Sequence, residues 1–165
     1  MTVTGGCACG NIKYSFEGDP NGASLVRHST SKKTIDTNQT HALSGTRQAL
    51  CHCTACRRSS NSTYSLNLMI SEDSFKLASG SPKTWSRVGE SGGKVTNHFC
   101  PECGTLLFVK GEMLAGTTLV KGGTLDDLSL IDRNEKYKPG VELYSKSKFS
   151  WLPDLPGVHK VESMS

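Results

Sequence analysis

Apolar and polar residues alternate along two stretches of the chain, and that alternation sets the reading of its fold. Over residues 11–17, Ile12, Tyr14 and Phe16 point one way while Lys13, Ser15 and Glu17 point the other. A period of two marks a strand with one buried face. Gly18-Asp19-Pro20 ends it, since this composition favours a turn over a continuing ladder. Residues 62–70 repeat the pattern, with Tyr64, Leu66, Leu68 and Ile70 on one face. Shorter runs at 75–77, 84–88, 95–99, 105–109 and 117–121, fenced by Gly, Ser or Pro, predict further strands of ordinary length. No long window carries a helical period, and Thr124-Leu-Asp-Asp-Leu predicts a single helical turn. The predicted class is mainly β, with antiparallel meander connections.

The stretch 21–47 breaks the rhythm. It is rich in Ser, Thr and Asn and holds few apolar residues besides Leu25, Val26, Ile35 and Leu43. A loop of that length without structure of its own is either a mobile insertion or a lid over a site; both readings stand here. The tail after Trp151 reads as a docked loop and then a frayed end. Its 165 residues make one domain's worth of chain.

Charge narrows the partners only slightly. Nineteen Lys and Arg against fifteen Asp and Glu leave a formal charge of +4, without a run of basic residues. Nothing in that balance asks for a nucleic-acid partner, and a mild positive field suits a small anionic ligand. The opening MTVTGGCACG has neither the basic nor the apolar part of a secretory signal, and no stretch is apolar for long enough to span a membrane. A reducing, cytoplasmic setting is expected, where disulfides are rare.

The candidate chemistry lies in the cysteines. Seven is an odd number, which argues against a closed disulfide framework. They fall into three clusters: Cys7-Ala-Cys9, Cys51-His-Cys53-Thr-Ala-Cys56 and Cys100-Pro-Glu-Cys103. A CxxC turn sets two sulfurs on one side of a tight knuckle, spaced for tetrahedral zinc, and a CxC pair converges if its middle residue points away. Gly10 and Gly104 follow the outer pairs and allow the positive φ a knuckle asks for. The arithmetic predicts that Cys7, Cys9, Cys100 and Cys103 share one ion and that Cys51, Cys53 and Cys56 hold another. Four thiolates complete a structural zinc shell; three protein ligands leave the position that catalytic zinc gives to water or substrate. Iron is the competing ion. Alternatively both sites are staples, with His98, or less easily His52, closing the second shell. Each histidine is more simply an ordinary surface or core residue.

In order, GGCACGNIKY, CHCTACRR, HFCPECGT, GGTLDD and Trp151-Leu-Pro resemble the glutathione-dependent formaldehyde-activating family, which also includes the domain of centromere protein V. The resemblance covers residues 4–20 and 49–155. Ser62-Thr-Tyr-Ser-Leu-Asn and Gly80-Ser-Pro-Lys-Thr are similar to fungal-type members. It implies a β-tent of antiparallel sheets organised around zinc, a single domain over 1–165, and two zinc ions partitioned as above. It further implies a carbon–sulfur lyase-type reaction that joins glutathione and formaldehyde into S-(hydroxymethyl)glutathione. Asn61 stands where the family usually has Gly, and 21–47 has no counterpart in short members.

In the enzyme reading, the ion on Cys51, Cys53 and Cys56 activates glutathione or another small thiol toward an aldehyde. Arg57, next to Cys56, is the candidate grip for a peptide carboxylate, with Arg58 beside it. Asp126 and Asp127 read as turn or cap residues. Two rivals remain: a non-enzymatic zinc-stabilised binding module, and a tailoring enzyme for a larger small molecule.

Overall fold

The computed structural model describes residues 1–18, 48–90 and 92–163, so the segment 21–47 lies outside the described residues. Strands β1 (Thr2–Gly6), β2 (Lys13–Glu17) and β5 (Phe75–Ser79) form a three-stranded antiparallel sheet in the order β1-β2-β5. A larger sheet begins at one edge with β11 (His159–Val161), β10 (Val141–Leu143), β3 (Gln48–Cys51) and β4 (Ser65–Ser71). It continues through β9 (Thr117–Lys121), β8 (Leu106–Gly111), β7 (Lys94–Phe99) and β6 (Lys83–Val88). Pairing is antiparallel from β3 to β6, as the mainly β, antiparallel reading expects. At the other edge the short β10 runs parallel to both β3 and β11, which a meander does not do.

The alternation in β2 and β4 reports the core directly. Val3, Ile12, Tyr14 and Phe16 from the small sheet meet Leu68, Ile70, Phe108 and Val120 from the large one. Phe75 bridges them, 5.5 Å from the Tyr14 ring and 4.8 Å from that of Phe108. Truncating a fully buried aromatic such as Phe16 to Ala costs about 3–5 kcal/mol. Tyr14 needs a partner for its hydroxyl and finds Thr124 Oγ1 at 2.7 Å. Gly5 is the residue that lets it fit, since a Cβ there would lie 2.3 Å from the Tyr14 oxygen.

Among the described residues two short α-helices sit between the strands, α1 (Thr54–Ser60) and α2 (Ser129–Arg133). The turn expected at Thr124–Leu128 is displaced to either side. Gly122–Thr124 form a 3-10 turn and α2 follows, because Leu125 is drawn into the core and bridges Gly5. Asp127 Oδ1 accepts from the Ser129 amide at 3.0 Å, and Asp126 Oδ2 accepts from the Thr4 hydroxyl at 2.7 Å. Asp127 thus closes a local turn, while Asp126 ties this loop to β1.

The face of the large sheet away from the core positions the site. Leu143 lies opposite Cys51 and Cys51 opposite Ser65; Ala49 lies opposite Asn67 and Asn67 opposite Lys121. One register further, Met69, Leu119, Val109, Asn97 and Trp85 form a row across five strands. These residues share a face because cross-strand partners point the same way.

Candidate functional site

The outer cysteines meet where two turns touch. The Cys7–Cys9 turn joins β1 to β2, and the Cys100–Cys103 turn joins β7 to β8. Gly10 (φ 79°) and Gly104 (φ 72°) supply the left-handed residue that closes each knuckle. Ala8 donates its amide to Thr105 Oγ1 at 3.2 Å, tying the turns together. The Sγ atoms of Cys7, Cys9, Cys100 and Cys103 lie within 4.8 Å of one another. Cys7–Cys9 is 3.4 Å and Cys9–Cys100 3.7 Å, close to the edge of about 3.8 Å for a tetrahedron with zinc–sulfur bonds near 2.3 Å. The Ile12 amide donates to Cys7 Sγ at 3.2 Å. All seven cysteines are free. The set fits a thiophilic ion.

The middle cysteines converge through a strand end and a helix start. Cys51 ends β3, Cys53 is the N-cap of α1 and Cys56 lies in its first turn. Cys53 Sγ accepts the Cys56 amide at 3.3 Å, so the cap itself folds the triplet together. At the far end Asn61 takes φ 49°, ψ 40° and donates its amide to the Arg57 carbonyl, occupying the left-handed C-cap without a glycine. The three sulfurs lie within 4.8 Å of one another, with no fourth side-chain ligand among the described residues. Hydrogen bonds from Cys51 and then Cys56 pull the Cys53 thiol down to about 2. The same contacts push the Cys51 thiol well up. Sulfurs this close cannot all carry charge unless a cation shares the site. The donor set therefore fits a soft metal ion.

These sulfurs line a cavity of about 290 Å³ on the sheet face described above. Apolar walls come from Met69, Val109, Leu119 and Leu143, and Ala55 and Ser59 of α1 close one side. Two further lining residues were not anticipated from the sequence. Lys121 is only 8% exposed and donates to Ser65 Oγ at 2.9 Å and Asn67 Oδ1 at 2.6 Å. Burial lowers its pKa, while the three cysteines pull the other way. Tyr144 is non-glycine yet left-handed (φ 57°), a strained backbone of the sort found at sites. Burial, then the charge of Glu90, pushes its hydroxyl up to about 12.

Arg57 does not line the cavity: its guanidinium lies 4.6 Å above the Phe149 ring. Arg87 from β6 lines the cavity instead, and Arg58 lines an adjoining groove. Neither histidine belongs to a cysteine group among the described residues. His52 is buried with Nε2 3.4 Å from Glu142 Oε1, and Glu142 also accepts from Lys148 at 2.9 Å. His98 stacks on Phe108 with ring centroids 4.4 Å apart. The ending of the 117–121 strand held a signal for Lys121, since Val120 faces the core and its neighbours must face away. Tyr144 had none.

The profile of the family described as glutathione-dependent formaldehyde-activating enzyme matches residues 33–147, more than half of the 165-residue chain. The middle triplet and the Cys100–Cys103 pair fall inside that match, and Cys7 and Cys9 lie before it. No curated protein matches the chain. A crystal structure of a Rhodobacter sphaeroides protein is similar in fold, with a TM-score of 0.53 at 16% identity, covering 80% of this chain and 95% of that one. No helix among the described residues is long and apolar enough to cross a membrane.

Proposed function

The chain belongs to the glutathione-dependent formaldehyde-activating enzyme family, and from that premise we propose that its cavity makes and breaks the carbon–sulfur bond between glutathione, or another small thiol, and an aldehyde. One contrast carries the reading. Four thiols form a complete set outside the cavity, while Cys51, Cys53 and Cys56 form an incomplete one in its wall. In this reading Cys7, Cys9, Cys100 and Cys103 hold structural zinc, and Cys51, Cys53 and Cys56 hold the reactive zinc. An ion on the triplet supplies acidity to a thiol and stabilises the negative charge left on its sulfur.

The chain's own side chains do the rest. The Lys121 ammonium, fixed by Ser65 and Asn67, adds positive charge beside the sulfurs. In the forward direction the thiol sulfur bonds to the carbonyl carbon, the carbonyl π pair moves to oxygen, and the thiol's proton ends on that oxygen. The Tyr144 hydroxyl stays protonated near neutral pH and acts as the hydrogen-bond donor to that oxygen. Arg87 and Arg58 attract carboxylates of the thiol, and the apolar walls exclude water. The same reading takes 1–165 as one zinc-binding domain in a reducing cytoplasm. A binding module would instead complete both thiol shells with protein ligands, and the triplet favours the enzyme.

Because thiols and formaldehyde also condense unaided, the test is the exchange rate at equilibrium, followed by NMR between formaldehyde and S-(hydroxymethyl)glutathione. The zinc-loaded protein accelerates exchange, and Cys53→Ser returns it to the background while circular dichroism keeps the native signal. Exchange at the background rate with the intact protein would refute the reading.

A further inference from the structure

The sheet face that carries the sulfurs does not end at the cavity. Toward the β6 edge it opens into a groove of about 740 Å³. Cavity and groove share Ala55, Ser59, Arg87, Glu90 and Asn97 in their walls, so they adjoin on one sheet face. Register explains this: Trp85 lies opposite Asn97, which lies opposite Val109 of the cavity wall. The groove has two kinds of wall. Trp85, Phe99 and Leu106 form an apolar ledge, and Lys83, Arg58 and Arg87 bring positive charge. Trp85 is 56% exposed, a large aromatic left uncovered beside a reactive centre.

A glutathione–formaldehyde adduct would use only half of this groove. Glutathione is a charged tripeptide whose carboxylates match the cations and whose ammonium matches Glu90. Formaldehyde adds a single carbon. Neither part offers a ring or a bulky apolar group for the ledge to bury. We infer that the ledge is a specificity subsite for the carbonyl-derived part of the thiol adduct, and that this part carries an apolar, ring-bearing body. The inference rests on the thiol-adduct reading above and fixes its substrate class. A flat aromatic laid against Trp85 gains stacking beyond the area it buries, and the ring-bearing adduct gains about tenfold or more in specificity. The cations hold the thiol's carboxylates, so the two walls bind the two halves of one molecule.

Exchange kinetics with two aldehydes test this. The zinc-loaded full chain is given glutathione with formaldehyde or with 4-nitrobenzaldehyde, and kcat/KM is measured for each adduct. The aryl adduct is expected to be favoured about tenfold or more. Trp85→Ala is expected to bring the ratio toward one, and Trp85→Phe to restore most of it. If formaldehyde is exchanged as well as the aryl aldehyde, the subsite is refuted and the thiol-adduct reading survives. An aryl preference that Trp85→Ala leaves intact also refutes the ledge. If neither adduct is exchanged above background, the thiol-adduct reading itself fails and the subsite falls with it.

Discussion

Single residues around the sulfurs divide into those that carry charge and those that carry shape. Lys121 is the buried cation that faces Cys51, Cys53 and Cys56. Lys121→Met keeps the volume and removes the charge. Ser65 Oγ still donates to Asn67 Oδ1 at 3.0 Å, so the polar pair stays satisfied and the melting temperature moves by only a few degrees. Glutathione affinity of the zinc-loaded protein, by calorimetry, should fall roughly tenfold, as for a lost charge-assisted contact. Unchanged affinity would leave Lys121 a packing residue. Tyr144 gives a prediction with a pH signature. Its hydroxyl is raised to about 12, first by burial, so the phenol is a donor throughout the neutral and mildly alkaline range. Tyr144→Phe should slow exchange by the same factor from about pH 6 to 9. A factor that shrinks as pH rises across that range would mean the phenol ionises early and is no donor. Tyr144 was not legible beforehand, and Lys121 only as a residue facing away from the core. Alternation names the apolar face of a strand, and it does not say whether the opposite face meets water or a cavity. The cysteine clusters were legible because knuckle geometry is local, and their long-range grouping followed from counting four thiols against three.

At the scale of elements, α1 is the piece on which the triplet depends. Its seven residues are too short to show a helical period, so the pattern of apolar positions does not reveal it. Its two ends identify it instead: Cys53 caps the start, and Asn61 ends it at φ 49°. Asn61→Gly should hold or slightly raise stability, since glycine takes that conformation freely. Asn61→Val should cost about 1–3 kcal/mol in urea unfolding and loosen the Cys56 turn. Equal stability of the two variants would mean that the cap is unimportant. The arginines separate by element as well. Arg57 leaves α1 toward Phe149, whose ring stacks on Trp151 at 5.9 Å, and Arg87 reaches the cavity from β6. Arg57→Ala should loosen the C-terminal loop and leave KM for glutathione alone, and Arg87→Ala should raise that KM several-fold. The reverse pattern would restore Arg57 to the role expected from sequence adjacency. Arg57 and Cys56 point different ways because neighbours on a helix lie about a quarter-turn apart. The strands β2 and β4 were legible from alternation and β5 to β9 as short fenced runs; β1, β3, β10 and β11 were not, being short or glycine-rich.

For the whole molecule, the two thiol groups stand in different relations to the fold. The outer four join the β1–β2 turn to the β7–β8 turn, and so fasten the small sheet to the large one. Cys7 and Cys100 belong to the core cluster itself, together with Ile12 and Leu107. The triplet lies on the opposite face of the large sheet, held by one helix cap, and no second sheet depends on it. Metal bound only by the folded chain adds its binding free energy to folding, so losing each ion should have a different consequence. Cys103→Ser should lower zinc to one per chain and unfold the protein, or lower its melting temperature by more than about 15 °C. Cys53→Ser should also lower zinc to one per chain and leave the cooperative melt nearly intact. Elemental analysis paired with thermal melts reads both quantities on the same samples. If the two variants lose stability equally, the triplet is a second staple, the contrast between complete and incomplete shells loses its meaning, and the case for chemistry in the cavity goes with it.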